Sequence, residues 1–266
     1  MPTVIASDID GTLLRSDRTV SDRTRAAVTA VEDAGMTFVL VTGRPPRWLA
    51  PVRDQMAHRG LAICANGALV MDLETEEVVT VNAFDPEDGL EVIDAIRSLS
   101  DGFGFGVEWP TGFAHESSYP RGVRQSEMVP NTKSDVTDDR EFFEHPVIKI
   151  LVRAEGHHME HLAAQAVELT RGKATVTYSD LELLEISAAG VSKASALEAF
   201  VAQRDGAPEH VVAFGDMPND LPMLRWAGSS VAVANAHPLV LDAADRTTAS
   251  NDEDGVALVL EELAGA

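Results

Sequence analysis

The stretch SDIDGTLL, residues 7–14, follows the apolar run Thr3 to Ser7 without a break. Five residues of that length and character predict a short buried strand. Two carboxylates one residue apart, Asp8 and Asp10, then stand where the strand must end. Gly11 lets the chain turn sharply, so both side chains can approach one small site. A solvated acidic turn is the plainer account of this pair taken alone. Outward from it, Ser21 caps a helix reaching to about Ala34, and Gly35 ends it. Met36 to Val41 reads as a second strand closing on Thr42-Gly43-Arg44, Pro45 opens another helix, and Leu61 to Ala65 is a third strand before Asn66-Gly67. Strands alternating with helices at this spacing predict right-handed βαβ units and a parallel sheet.

The rhythm changes near Phe84. A helix starting at Asp85-Pro86 and reaching about Ser100 leads to strands at Phe103 to Trp109 and Gly112 to His115. Pro146 to Arg153 is another strand, His157 to Thr170 a helix, and Lys173 to Tyr178 with Leu181 to Ile186 a strand pair. Strands meeting strands through short turns predict an α+β module with an antiparallel sheet. The polar piece between about Tyr119 and Asp139 reads as a loop. From Ser192 the α/β rhythm returns: a helix to about Arg204, a strand at Val211 to Phe214, a strand at Val231 to Val233 and a closing helix at Asp252 to Leu263. The expected architecture is an α/β fold: a doubly wound, Rossmann-like parallel-sheet core from 1–83 and 186–266, with an α+β module inserted at 84–185.

Lys and Arg number 21 against 43 Asp and Glu, a net charge of −22. That surface disfavours nucleic acid. It also repels a small phosphate ester, so a phosphate site here needs local positive charge, from a bound divalent cation or a cationic side chain. Only four lysines, Lys133, Lys149, Lys173 and Lys193, are available. The single cysteine, Cys64, lies in an apolar run and reads as a buried structural thiol. With no membrane-spanning segment and no signal peptide in the sequence, a cytoplasmic protein is expected.

In an open parallel sheet, ligands bind at the carboxyl ends of the strands. Four polar clusters fall there: Asp8/Asp10, Thr42/Arg44, Asn66 and Asp216/Asn219/Asp220. Asp216 follows a strand and a Gly, and simple helix capping accounts for it alone but not for the repeat of the arrangement after the first strand. The repulsion among these acids calls for a cation, and oxygen-rich sites favour magnesium. The Thr42 hydroxyl and Gly43 amide suit a phosphate oxygen at the next helix's N-terminus. Lys193 opens a helix, where the macrodipole disfavours a cation unless an anion lies close; a surface lysine is the alternative.

The strings SDIDGTLL, VTGR (41–44), ANGA (65–68), GVSKASAL (190–197) and FGDMPNDLPML (214–224), in this order, resemble the haloacid dehalogenase superfamily of phosphatases. The Cof-type subfamily, with its large α/β cap after the third core strand, is the nearer likeness, and VAVANAHPLV (231–240) with SNDEDGVALVLEEL (250–263) is similar to its tail. The resemblance implies Asp8 as nucleophile, forming an aspartyl-phosphate, and Asp10 as general acid and base. It implies Mg2+ held by the Asp8 carboxylate, the Asp10 carbonyl and Asp216, with Asn219 and Asp220 ordering the metal's surroundings and Lys193. Thr42 and Lys193 would hold the phosphoryl group; Gly43, Arg44 and Asn66 would line the substrate. An acid at position 10 fits ester hydrolysis, since relatives acting as dehalogenases or ATPases carry another residue there. Ala194 departs from the glycine that relatives often carry, without removing a functional group.

The expected activity is therefore magnesium-dependent hydrolysis of a small phosphorylated metabolite, with a sugar phosphate as candidate. Expected partners are that small phosphate ester alone, with no nucleic acid and no membrane, the chain being a monomer or weak homo-oligomer. A phosphomutase, a receiver-like phosphate-accepting module and a silent scaffold of the same fold are the alternatives. His157 and His161, four apart, suggest zinc only weakly, and Trp109, His115, Tyr119, Arg121 and Arg124 are set aside as packing or surface.

Overall fold

A computed structural model describes residues 3–56, 60–119 and 131–265. Contacts divide the chain into two compact units, one of Met1–Arg44, Trp48–Val79 and Ser192–Ala266, the other of Pro45–Arg47 and Thr80–Val191.

The first unit is built on an eight-stranded sheet of order β14-β13-β12-β1-β2-β3-β4-β5. Its centre is β1 (Val4–Ser7), with β2 (Thr37–Val41) and β12 (Val211–Gly215) parallel on either side. β3 (Leu61–Cys64), β13 (Ser229–Ala232) and β14 (Arg246–Thr247) extend it in the parallel sense. The central strands are apolar throughout because both faces are covered; Ile5, Val39, Leu40 and Ala213 are fully buried. Burying a valine, leucine or isoleucine side chain in this way contributes roughly 2 kcal/mol. Helix α1 (Asp22–Asp33) starts where the sequence predicts, with Ser21 Oγ accepting from the Thr24 amide, and packs on α8 (Gly255–Ala264). Cys64 is buried, as its apolar run implies.

No helix opens at Pro45: a short 3-10 turn covers Pro46–Trp48 and α2 runs only over Ala50–Met56. Pro46 disfavours helical backbone at Pro45, which delays the helix. Thr42 and Gly43 therefore precede a turn, not a helix N-terminus. The sheet also carries an extra edge, β4 (Leu69–Asp72), antiparallel to β3, and β5 (Val78–Val81) beyond it. The closing helix begins at Gly255, three residues after the expected start, because Asn251–Glu253 form a 3-10 turn.

The second unit is built on β6 (Gly104–Trp109), β9 (Lys149–Arg153), β10 (Ala174–Asp180) and β11 (Leu183–Ala188) with β7 and β8, in a six-stranded sheet of order β10-β11-β9-β6-β7-β8. Its pairings are antiparallel except β7 (Gly112–Glu116) with β8 (Thr132–Val136). Helices α3 (Pro86–Arg97) and α4 (Met159–Thr170) bury Ile93, Ile96, Leu162 and Ala166 with alternate residues of the strands, Phe105, Val107, Ile150, Val152, Leu184 and Ile186. The residues between them in the strands include Lys149 and Glu185, a buried ion pair of 2.5 Å. β8 lies inside the stretch expected to be a loop. Trp109 is core, its indole N–H donating to the Phe142 carbonyl, and His115 stacks on Phe113. Arg121 and Arg124 fall outside the described residues. His157 precedes α4 and lies edge-on to Phe103, so the expected four-residue helical spacing with His161 does not form. No helix among the described residues is long and apolar enough to cross a membrane.

Candidate active site

β1 ends at Ser7, and Asp8 keeps extended backbone, its amide donating to Phe214 O on β12. The next turn, closed by the Leu14 amide on Ile9 O, needs Gly11 at φ +78°. A Cβ on Gly11 would stand 2.3 Å from Asp216 Oδ2. The turn after β1 and the strand end of β12 are thus in contact, and Thr12 Oγ1 donates to Asp216 Oδ1 at 2.7 Å. Asn235 Nδ2 holds the same turn by donating to Gly11 O at 2.8 Å.

Lys193 is the first residue of α5 (Lys193–Ala202), behind the cap Ser192. It is buried, and its Nζ donates to Asp8 Oδ1 at 2.5 Å and to Asp220 Oδ1 at 2.6 Å. The anions that a cation at a helix start requires are therefore the protein's own carboxylates. Of the other lysines, Lys133 pairs with Glu141 and Glu144, Lys149 with Glu185, and Lys173 with Asp88 and Glu91. Lys193 alone among the four carries its charge into the carboxylate cluster.

Asp8, Asp216 and Asp220 are all buried and offer oxygens within 4.8 Å of one another. Burial pushes the Asp8 carboxyl well above its ordinary range; Lys193 opposes this, while Asp220 and Asp216 add to it. Burial also lifts Asp216, to about 7, helped by Asp220 and opposed by the Thr12 hydroxyl and Lys193. Burial pulls Lys193 down, but the charges of Asp220 and Asp8 outweigh it and the ammonium ends up raised. Three crowded carboxylates with one ammonium form a hard-oxygen donor set that fits a divalent cation. Asp220 is committed within it: Oδ1 serves Lys193, and Oδ2 accepts from the Asp216 and Met217 amides. Oδ2 of Asp8 and Oδ2 of Asp216 accept no hydrogen bond from any described residue.

Asp10 is placed differently. Its carboxylate is 54% exposed and takes two 2.6 Å bonds from Arg44, so its side chain stands outside the buried cluster. Thr42 is buried, its Oγ1 accepting from the Arg44 amide. Asn66 is buried in left-handed backbone at φ 56°, with Oδ1 accepting from Asn219 Nδ2 at 3.1 Å. Asn66 Nδ2 and Asn219 Oδ1 are buried with no hydrogen-bond partner, which leaves each side chain of this pair with one unsatisfied polar atom. Gly67 (φ +100°) seats this corner on α5: a Cβ there would lie 2.1 Å from Ser192 O. Gly67→Ala is accordingly expected to cost more than about 2 kcal/mol in urea unfolding. Because Ser192 caps the helix that carries Lys193, turnover falls with it; an unchanged unfolding midpoint would contradict this packing.

Thr12 and Asn235 were not singled out in the sequence, although both lie in strings that carry the resemblance. A hydroxyl directly after the Asp-x-Asp-Gly turn is the signal that could have found Thr12.

A parallel α/β sheet with a buried aspartate–lysine centre at its strand ends has the form of a phosphoryl-transfer enzyme. The model of the haloacid dehalogenase-like hydrolases matches residues 5–260. The putative phosphatase YxeH of Bacillus subtilis is 31% identical, over 99% of this chain and 98% of its own. From the same organism, 5-amino-6-(5-phospho-D-ribitylamino)uracil phosphatase YitU is 29% identical over 98% and 97%. Among solved structures, SMU.1108c of Streptococcus mutans superposes with a TM-score of 0.86 at 22% identity, covering both chains completely. The chain belongs to the haloacid dehalogenase-like hydrolases and is a phosphoric monoester hydrolase of that family. The receiver-like and silent-scaffold readings fall away with that membership.

Proposed function

We propose that this phosphatase is magnesium-dependent and hydrolyses a small phosphorylated metabolite through an aspartyl-phosphate on Asp8. The observation that carries the reading is the Lys193 ammonium, bonded to Asp8 and Asp220 inside the buried carboxylate cluster. An anionic nucleophile meets an anionic ester only where fixed positive charge offsets both.

In this reading an Asp8 oxygen attacks phosphorus in line as the bond to the leaving alcohol breaks, and Asp10 gives that oxygen its proton. Asp10, now a carboxylate, takes a proton from the water whose oxygen attacks the aspartyl-phosphate. The Asp8–phosphorus bond breaks, inorganic phosphate leaves, and both side chains return to their starting states. Thr42, the Gly43 amide and Lys193 hold the phosphoryl oxygens, while Arg44 and Asn66 border the substrate. Asp8, Asp216 and the Asp10 carbonyl would hold Mg2+, with Asp220 and Asn219 fixing their surroundings. Bound there, the cation supplies Lewis-acid neutralisation of the phosphoryl charge.

The net charge of −22 supports a small substrate over a polymer. YitU, whose name gives a phosphorylated ribityl compound as its substrate, supports a sugar-like carbon chain. The 84–185 module serves, in this proposal, as the family's cap that excludes bulk water during turnover.

Chelation tests the metal. Treatment with EDTA abolishes phosphate release from a panel of sugar phosphates and other small esters, and added Mg2+ restores it. Ca2+ restores it poorly, because the larger ion prefers more ligands at longer distances. Full activity in excess EDTA would reject the proposal.

A further inference from the structure

Asp10 is the one acid of the first turn that the fold leaves in the open. Its side chain is 54% exposed, whereas Asp8, Asp216 and Asp220 are buried. An exposed carboxylate on a turn ordinarily samples several rotamers. A proton donor must instead sit within hydrogen-bond reach of one oxygen, and misplacement by about 1 Å can cost about 100-fold.

Arg44 removes that freedom. Its Nε donates to Asp10 Oδ2 and its Nη2 to Asp10 Oδ1, both at 2.6 Å, which fixes the plane and the rotation of the carboxyl group. The guanidinium is itself anchored. Nη1 donates to the Trp48 carbonyl at 3.2 Å, the Arg44 amide donates to Thr42 Oγ1 at 3.0 Å, and the side chain is only 13% exposed. A chain of contacts thus runs from the end of β2 through Thr42 and Arg44 to Asp10. Lysine would keep the charge and lose the fork.

We infer that Arg44 is the positioning residue of Asp10, orienting the carboxyl that exchanges protons with the leaving oxygen and the attacking water. The inference rests on the acid–base role proposed for Asp10, and it gives Arg44 a duty beyond lining the substrate. It has a chemical signature. An alkyl alkoxide cannot leave phosphorus without a proton, whereas p-nitrophenolate can, so a misdirected Asp10 harms only the first.

The test measures alcohol release in a single turnover, which reports the first step alone, for p-nitrophenyl phosphate and for an alkyl phosphate the enzyme accepts. Wild type, Arg44→Lys, Asp10→Asn and the double variant are compared with Mg2+ present. Arg44→Lys is expected to slow alkyl ester cleavage roughly 10- to 100-fold more than p-nitrophenyl phosphate cleavage, and its circular dichroism and urea midpoint report separately that the variant is folded. The double variant is expected to be no slower than Asp10→Asn alone. Equal slowing of both esters, a rise in KM alone, or full additivity with Asp10→Asn would assign Arg44 to gripping phosphate and overturn the inference. If Asp10→Asn itself fails to separate the two esters, the acid–base reading of Asp10 falls, and the inference with it.

Discussion

Asp8→Asn lowers phosphate release by about 10^4-fold or more, the scale at which removal of a nucleophile acts. The amide has nearly the shape of the carboxylate and none of its nucleophilicity. Little else changes. The backbone at residue 8 stays pinned by its amide bond to Phe214 O, and Lys193 keeps Asp220 as a partner. The variant therefore folds, as its circular dichroism will show, while kcat collapses on every ester. Retention of activity within about tenfold of wild type would remove Asp8 from the centre of the reaction.

Lys193→Met produces a double loss. The ammonium bridges two buried carboxylates, and a neutral side chain of similar length leaves Asp8 and Asp220 facing each other unpaired. Breaking a buried ion pair from one side costs about 3–5 kcal/mol, read as a shift in the urea midpoint. Turnover falls with it by about 100- to 1,000-fold, because in the proposed mechanism Lys193 supplies the fixed charge that meets the phosphoryl oxygens. A variant with wild-type stability would show that the pair contributes nothing to the fold. A variant with wild-type kcat would show that Lys193 plays no part in the chemistry.

The centre was legible in the sequence because its residues stand at strand ends. A strand that is apolar on both faces announces itself, and the chain leaving it must turn at the carboxyl edge; Asp8 and Asp216 are found that way. The features that were not legible depend on tertiary packing. β8 is Thr-Lys-Ser-Asp-Val, a sequence with no apolar alternation, and it becomes a strand only by pairing with β7. β5 is exposed along its whole length, so no burial pattern marks it. The delayed start of α2 was readable in principle from Pro45-Pro46, a local steric rule that outweighs the favourable placement of a proline at a helix start. The side chains of Arg44 and Asp10 meet across 34 positions, and nothing in either local string encodes that contact. The same holds for Thr12 on Asp216, 204 positions apart.

The proposed chemistry stands or falls on phosphate passing through Asp8. Acid-quenching the enzyme within its first turnover, then mapping phosphate on its peptides, tests this most directly. A hydroxylamine-labile phosphate is expected on the peptide containing Asp8, formed as fast as alcohol is released and missing from Asp8→Asn. Phosphate on another residue, or alcohol release through a full turnover with no phosphorylated enzyme formed, would contradict it.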